Sequence, residues 1–74
     1  MIAIVWSQDN CAYCDRAKKL LASKEYHVQE RNISSGTWSK ADLVRAVPGA
    51  RSVPQIFIGD RYIGGFDDLV KAIS

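Results

Sequence analysis

The chain is poor in the residues that mark specialised proteins. Its 74 residues include two cysteines, two prolines, one histidine and five glycines. Two cysteines are too few for a disulfide-dense secreted scaffold. Scattered prolines and glycines exclude collagen-like and low-complexity segments, and there are no repeats or linkers. The longest apolar run, Met1 to Trp6, is six residues, far short of the ~20 that span a bilayer. No basic stretch precedes it, so no signal peptide is expected. An excess of one charge is lacking too, since ten basic and eight acidic residues leave a net charge of +2. That balance excludes a nucleic-acid arm or a polybasic membrane anchor. Neither nucleic acid nor membrane is therefore expected as a partner.

What is present reads as a globular protein, with 47% hydrophobic and 24% charged residues. One domain over residues 1–74 is expected, because nothing remains from which to build a second core. The size is near the lower limit for a fold without staples, where one core rarely supplies more than about 3–5 kcal/mol.

The two cysteines, Cys11 and Cys14, are three positions apart. As a staple they would close a four-residue loop, worth about 2 kcal/mol at most by chain entropy. Redox chemistry suits that spacing better. A structural zinc site needs four ligands, and two thiols with His27, Asp9 and Asp15 form a poor set. His27 reads as a partly exposed strand residue. Two unrelated thiols, buried or on the surface, are the plainer alternative.

Ile2 to Trp6 is β-branched and apolar and predicts a central strand buried on both faces. Ser7 to Asn10 is polar and reads as a loop. Cys11 to Lys24 contains good helix formers, with Cys14, Ala17, Leu20 and Leu21 at helical spacing and Arg16, Lys18 and Lys19 on the wet side. Asn10 or Cys11 is the expected N-cap. His27 to Ile33 predicts a second strand, and Ser34-Ser35-Gly36 a turn. Thr37 or Ser39 can cap a second helix in which Trp38, Ala41, Val44 and Val47 form a stripe, ended by Pro48-Gly49. Val53 to Ile58 predicts a third strand, Gly59-Asp60-Arg61 a hairpin connection, and Tyr62-Ile63 a fourth strand. Gly64-Gly65 breaks the chain. Phe66, Leu69, Val70 and Ile73 then repeat as an amphipathic helix does.

The order is β-α-β-α-β-β-α. A helical crossover makes the first two strands parallel, and the short hairpin makes the last two antiparallel. The expected architecture is α/β: a four-stranded mixed sheet with three helices, covered on both faces.

A Cys-x-x-Cys pair that follows a buried strand and opens a helix sits where a thiolate is stabilised. Free N–H groups and the helix dipole lower a thiol pKa there. Cys11, at the cap, benefits most and is assigned as the attacking thiol, with Cys14, one turn inside, as the resolving thiol. Asp9 lies close in sequence and opposes the basic residues of the helix. Val53-Pro54 can present the backbone of an extended residue, or it can simply begin an edge strand. Gly64-Gly65 before a helix offers an anion site from free N–H groups. The plainer reading is a turn, with Asp67 and Asp68 complementing the helix dipole.

Cys11-Ala12-Tyr13-Cys14, Val53-Pro54 and Gly64-Gly65-Phe66-Asp67-Asp68-Leu69 together resemble a glutaredoxin, closest to the short dithiol class of bacteria and their phages. The resemblance covers essentially the whole chain. It implies a thioredoxin-like fold and a glutathione-dependent reductase of protein disulfides and glutathione mixed disulfides, with Cys11 and Cys14 catalytic. It implies that Pro54 is cis and that Val53 presents its backbone to an extended ligand. It implies that the N–H groups of Phe66 and Asp67, beside Gly65, take the α-carboxylate of glutathione, and that Asp67 or Asp68 takes its ammonium. Tyr13 becomes a wall of that site, and Arg51, Lys40 or Arg45 meets the glycyl carboxylate. Trp6 and Trp38 are read as packing residues.

The same resemblance implies glutathione as reducing co-substrate, with no tightly bound cofactor. It implies disulfide-containing proteins as substrates, ribonucleotide reductase among them, and a monomer in the cytoplasm (that of the host if phage-encoded). The Gly-Gly-Phe-Asp-Asp run favours glutathione over thioredoxin reductase as the electron source. The alternative function is a carrier of a [2Fe–2S] cluster held through Cys11.

Three positions depart from the family pattern. Ala12 replaces the usual proline after the first cysteine, which loosens the first turn and adds an N–H donor. Ser52 replaces threonine. Gln8 stands where a basic residue is common, which removes one contact to the glycyl carboxylate.

Overall fold

The structure is a computed structural model that describes residues 1–73. The elements in chain order are β1 (Ile2–Ser7), α1 (Ala12–Ser23), β2 (His27–Asn32), α2 (Lys40–Ala46), β3 (Gln55–Ile58), β4 (Arg61–Gly64) and α3 (Phe66–Ile73). This is the order read from the sequence. The sheet runs β2-β1-β3-β4. β1 is parallel to β2, with Ile2 opposite His27 and Ser7 opposite Asn32. β3 is antiparallel to both β1 and β4. The mixed sheet and its central first strand are as expected.

Strand alternation sorts β1 into two sets. Ala3 and Val5 face Ala17 and Leu21 of α1, Ile56 of β3 and Leu69 of α3, and all six are fully buried. Each Val, Leu or Ile so buried is worth about 1.5–3 kcal/mol. Helices α1 and α3 therefore lie together on this face. On the other face Trp6 meets Trp38 edge-on, ring centroids 5.4 Å apart. The Arg31 guanidinium stands over both rings, 5.2 Å from Trp6 and 4.4 Å from Trp38.

Several local expectations are corrected. Ser7 is not in a loop. It ends β1 with no solvent exposure, because its hydroxyl donates to Glu30 Oε2 at 2.6 Å. Lys18, on the wet side of α1, bonds the same oxygen through its Nζ at 2.8 Å and lies 3.4 Å from Asp15 Oδ1. Ile2 is 46% exposed, so β1 is covered on both faces only from Ala3 onward. In α2 the buried residue is Leu43, while Val44 is exposed and Trp38 precedes the helix. Two turns are too few for spacing alone to choose the face. Ser39 caps α2 in a reciprocal capping box with Asp42. Val53 and Pro54 precede β3 rather than belonging to it.

Candidate active site

Asn10 turns the chain between β1 and α1 with φ of 57°, a left-handed conformation that asparagine tolerates. That turn delivers Cys11 to the N-cap of α1. Its sulfur accepts the backbone N–H of Cys14 at 3.2 Å, in the place a serine hydroxyl takes in ordinary caps. Cys11 is half-buried, whereas Cys14 is 1% exposed. The two are joined as a disulfide with Cα atoms 5.2 Å apart. The N–H that reaches the sulfur is Cys14's, so the donor that Ala12 adds is not the one the sulfur uses.

Across from Cys11 the Val53–Pro54 bond is cis, and the Val53 carbonyl oxygen lies 4.0 Å from Cys11 Sγ. A cleft of ≈ 300 Å³ opens beside it, lined by Tyr13, Val53, Pro54, Gly65, Phe66 and Asp67 together with Ser52. The Tyr13 ring leans on Phe66 at 5.8 Å, and the Arg16 guanidinium stands 5.2 Å from the Tyr13 centroid. Of the seven residues Tyr13, Val53, Pro54, Gly65, Phe66, Asp67 and Asp68 expected around glutathione, all but one line this opening.

Asp68 is the exception. Its Oδ2 accepts the N–H of Gly65 at 3.2 Å, and it lines a different hollow, on the side of Lys71 and Ile73. Gly65 carries the carbonyl that starts α3, bonded by the Leu69 N–H at 3.0 Å, so Asp68 is the third helical residue reaching back to the cap. Gly64 has φ of +120°, and a Cβ there would stand 2.9 Å from Asp68 Cγ. The turn therefore requires glycine at 64 for its conformation, and a Cβ would also press on the Asp68 carboxyl. The N–H groups of Phe66 and Asp67 belong to the first turn of α3, where helical geometry supplies no acceptor.

A second cleft of ≈ 260 Å³ lies on the other side of Ser52 and Val53, lined also by Gln8, Lys40, Leu43 and Arg51. Two of the three basic candidates are therefore here. Arg45 is not; it is held by Asp42 three residues earlier. The Ser39 backbone N–H first, and then Arg45, hold the Asp42 carboxyl below its ordinary range.

Among the described residues no three His, Cys, Asp or Glu side chains converge on one point. Cys11 would be this chain's one ligand to a shared cluster. No helix among the described residues is long and apolar enough to cross a membrane.

A glutaredoxin family model matches residues 3–63. The chain belongs to the glutaredoxin family. It is 40% identical over 65 residues to glutaredoxin 3 of Escherichia coli K12, covering 88% of this chain and 77% of that protein. It is 42% identical over 62 residues to a glutaredoxin of Neisseria meningitidis serogroup A, covering 82% and 72%. Reduced Escherichia coli glutaredoxin superposes with a TM-score of 0.81 at 30% identity, covering 99% of this chain and 93% of that one. A buckwheat glutaredoxin–glutathione complex superposes with a TM-score of 0.76 at 35% identity, covering 93% and 64%. The glutaredoxin family, the thioredoxin-like fold and a Cys-x-x-Cys thiol–disulfide oxidoreductase are thereby shown.

Three features are not read from the sequence: the part-buried Ser7–Glu30 bond, the bond from the Gly65 N–H to Asp68, and the polar side chain of Gln55 behind the Val53–Pro54 segment. An N-cap followed three residues later by a carboxylate was a usable signal for Asp68. The others depend on partners far apart in sequence.

Proposed function

We propose that this glutaredoxin uses glutathione to reduce protein disulfides and glutathione mixed disulfides, with the tripeptide seated in the cleft beside Cys11. The observation that carries this reading is the convergence of Tyr13, Val53, Phe66 and Asp67 on one opening next to that sulfur. The γ-glutamyl carboxylate would take the N–H groups of Phe66 and Asp67, with the dipole of α3 favouring negative charge. Asp67 would take the ammonium. The cysteinyl backbone would pair with Val53, a one-residue strand addition. The glycyl carboxylate would extend past Val53 toward Lys40 and Arg51.

The chemistry follows from the cap. The Cys14 N–H and the dipole of α1 stabilise negative charge on Cys11 Sγ. The Cys11 thiolate attacks the glutathionyl sulfur of a mixed disulfide, forming a Cys11–glutathione disulfide. The substrate leaves as a thiolate and takes a proton from solvent. A second glutathione thiolate then attacks the glutathionyl sulfur, regenerates Cys11 and releases oxidised glutathione. On a protein disulfide, Cys14 attacks Cys11 Sγ in the mixed disulfide instead. That step releases the reduced protein and leaves the Cys11–Cys14 disulfide seen here. Two glutathiones return it to the dithiol.

The substrates proposed are cytoplasmic disulfide-bearing proteins, ribonucleotide reductase among them, acted on by a monomer. The test is an assay with glutathione, glutathione reductase and NADPH on the mixed disulfide of glutathione and 2-mercaptoethanol. Saturable NADPH consumption supports the reading; its absence in a folded protein with free thiols refutes it.

A further inference from the structure

Gln55 is the first residue of β3 and only 8% exposed, yet it carries a primary amide. Both ends of that amide are used. Its Nε2 donates to the Ser52 carbonyl at 3.0 Å, and its Oε1 accepts the Tyr62 hydroxyl at 2.6 Å. The orientation is unambiguous, because a carbonyl can only accept and an amide nitrogen can only donate. Tyr62 is itself held by Phe57, its cross-strand neighbour, at a ring distance of 5.3 Å. Gln55 stands opposite Trp6 on β1, which is 2% exposed, so the amide projects from a rigid part of the sheet.

The result is a chain of hydrogen bonds, Tyr62 to Gln55 to Ser52, that runs from the edge strand to the residue before Val53. It closes a turn around Val53 and Pro54 from behind. Ser52 and Val53 line both clefts, whereas neither Gln55 nor Tyr62 lines either one. A part-buried polar link satisfied at both ends fixes geometry, and removing the Tyr62 hydroxyl leaves the Oε1 of the largely buried Gln55 without that partner.

We infer that Gln55 and Tyr62 are positioning residues: they hold Ser52, Val53 and Pro54 in the shape that receives glutathione, and so set the strength of substrate binding rather than the rate of thiol attack. This deepens the glutathione reading and rests on it. The cap bond of α1, from the Cys14 N–H to Cys11 Sγ, uses none of these residues and stays intact when the relay is cut; the segment meets Cys11 through the Val53 carbonyl, 4.0 Å from the sulfur.

The test uses Tyr62→Phe, which deletes one hydroxyl from a half-exposed residue, and Gln55→Met, which keeps length and removes both bonds. KM for the glutathione mixed disulfide should rise about threefold in the first and about tenfold in the second. In both, kcat and the Cys11 thiol pKa, read from thiolate absorbance, should match the parent protein. A purely structural role would lower the melting temperature and leave KM alone. A folded Tyr62→Phe protein with the parent KM overturns the inference, as does a fall in kcat at constant KM. Should Gln55→Met not fold, Tyr62→Phe decides. A parent protein inactive on the glutathione mixed disulfide refutes the glutathione reading alone. The same variants and criteria then apply to KM for a protein disulfide such as that of insulin.

Discussion

Asp68 reaches back to accept the N–H of Gly65 at 3.2 Å, while its neighbour Asp67 faces the cleft beside Cys11. Two adjacent carboxylates thus have separate duties. One caps α3 and shapes the glycine turn; the other is free to meet a ligand.

Substitution should separate them. Asp67→Ala is expected to raise KM for glutathione about tenfold or more, since a hydrogen bond to a charged group is worth about 1.5–3 kcal/mol, with little change in stability. Asp68→Ala is expected to destabilise the fold by about 0.5–2 kcal/mol, the usual cost of a lost cap. Steady-state kinetics and urea unfolding on the same two proteins check this. A reversed pattern would place the ligand contact on Asp68.

The basic residues should divide in the same way. Lys40 and Arg51 line the cleft past Val53, and Arg45 is paired with Asp42. Lys40→Ala and Arg51→Ala should each weaken glutathione binding, and more at low ionic strength, because exposed charges are screened by salt. Arg45→Ala should bind as the parent does. Isothermal titration with oxidised glutathione of these proteins carrying Cys11→Ser and Cys14→Ser, so that no thiol exchange occurs, reads the difference at two salt concentrations.

A pH signature should come from Glu30. The Lys18 ammonium first, and then the Ser7 hydroxyl, hold its carboxyl below the ordinary glutamate range. A depressed folded pKa contributes stability above the unfolded value of about 4.3, lost as pH falls through the folded value. Lys18 is raised above its ordinary range, chiefly by its bond to Glu30. Its contribution is present below about 10.4 and lost as pH rises through the folded value. Both side chains are about a third exposed, 29% and 36%, so solvent weakens the effect. Thermal melts should show the parent losing stability more steeply than Glu30→Gln between about pH 5 and pH 3. Parallel curves would mean that the pair is fully screened.

Much of this protein is legible in its sequence where the signal is local. A β-branched run before Cys-x-x-Cys announces the central strand and the helix that opens on a sulfur. The Phe66, Leu69, Val70 and Ile73 spacing gives α3, and the Gly59–Asp60 connection gives the antiparallel pair. What escaped is non-local. Ser7 reads as loop because its polarity is answered 23 residues away, by Glu30. The face of α2 is not legible because a seven-residue helix offers two turns and one buried leucine. Beyond the three-residue spacing from Gly65 to Asp68, sequence cannot say which of two neighbouring aspartates folds back on its own cap. Nor can it say that the sulfur of Cys11 draws on the N–H of Cys14 rather than that of Ala12; helix geometry past the cap decides both.

The proposed mechanism depends on Cys11, capped by the Cys14 N–H, as the thiol that takes glutathione. The most direct measurement is the intact mass of Cys14→Ser and Cys11→Ser proteins after brief exposure to oxidised glutathione, followed by peptide mapping. One glutathionyl adduct, on Cys11, is expected in the Cys14→Ser protein and none in Cys11→Ser. An adduct on Cys14 with Cys11 removed, and none on Cys11 with Cys14 removed, would contradict it.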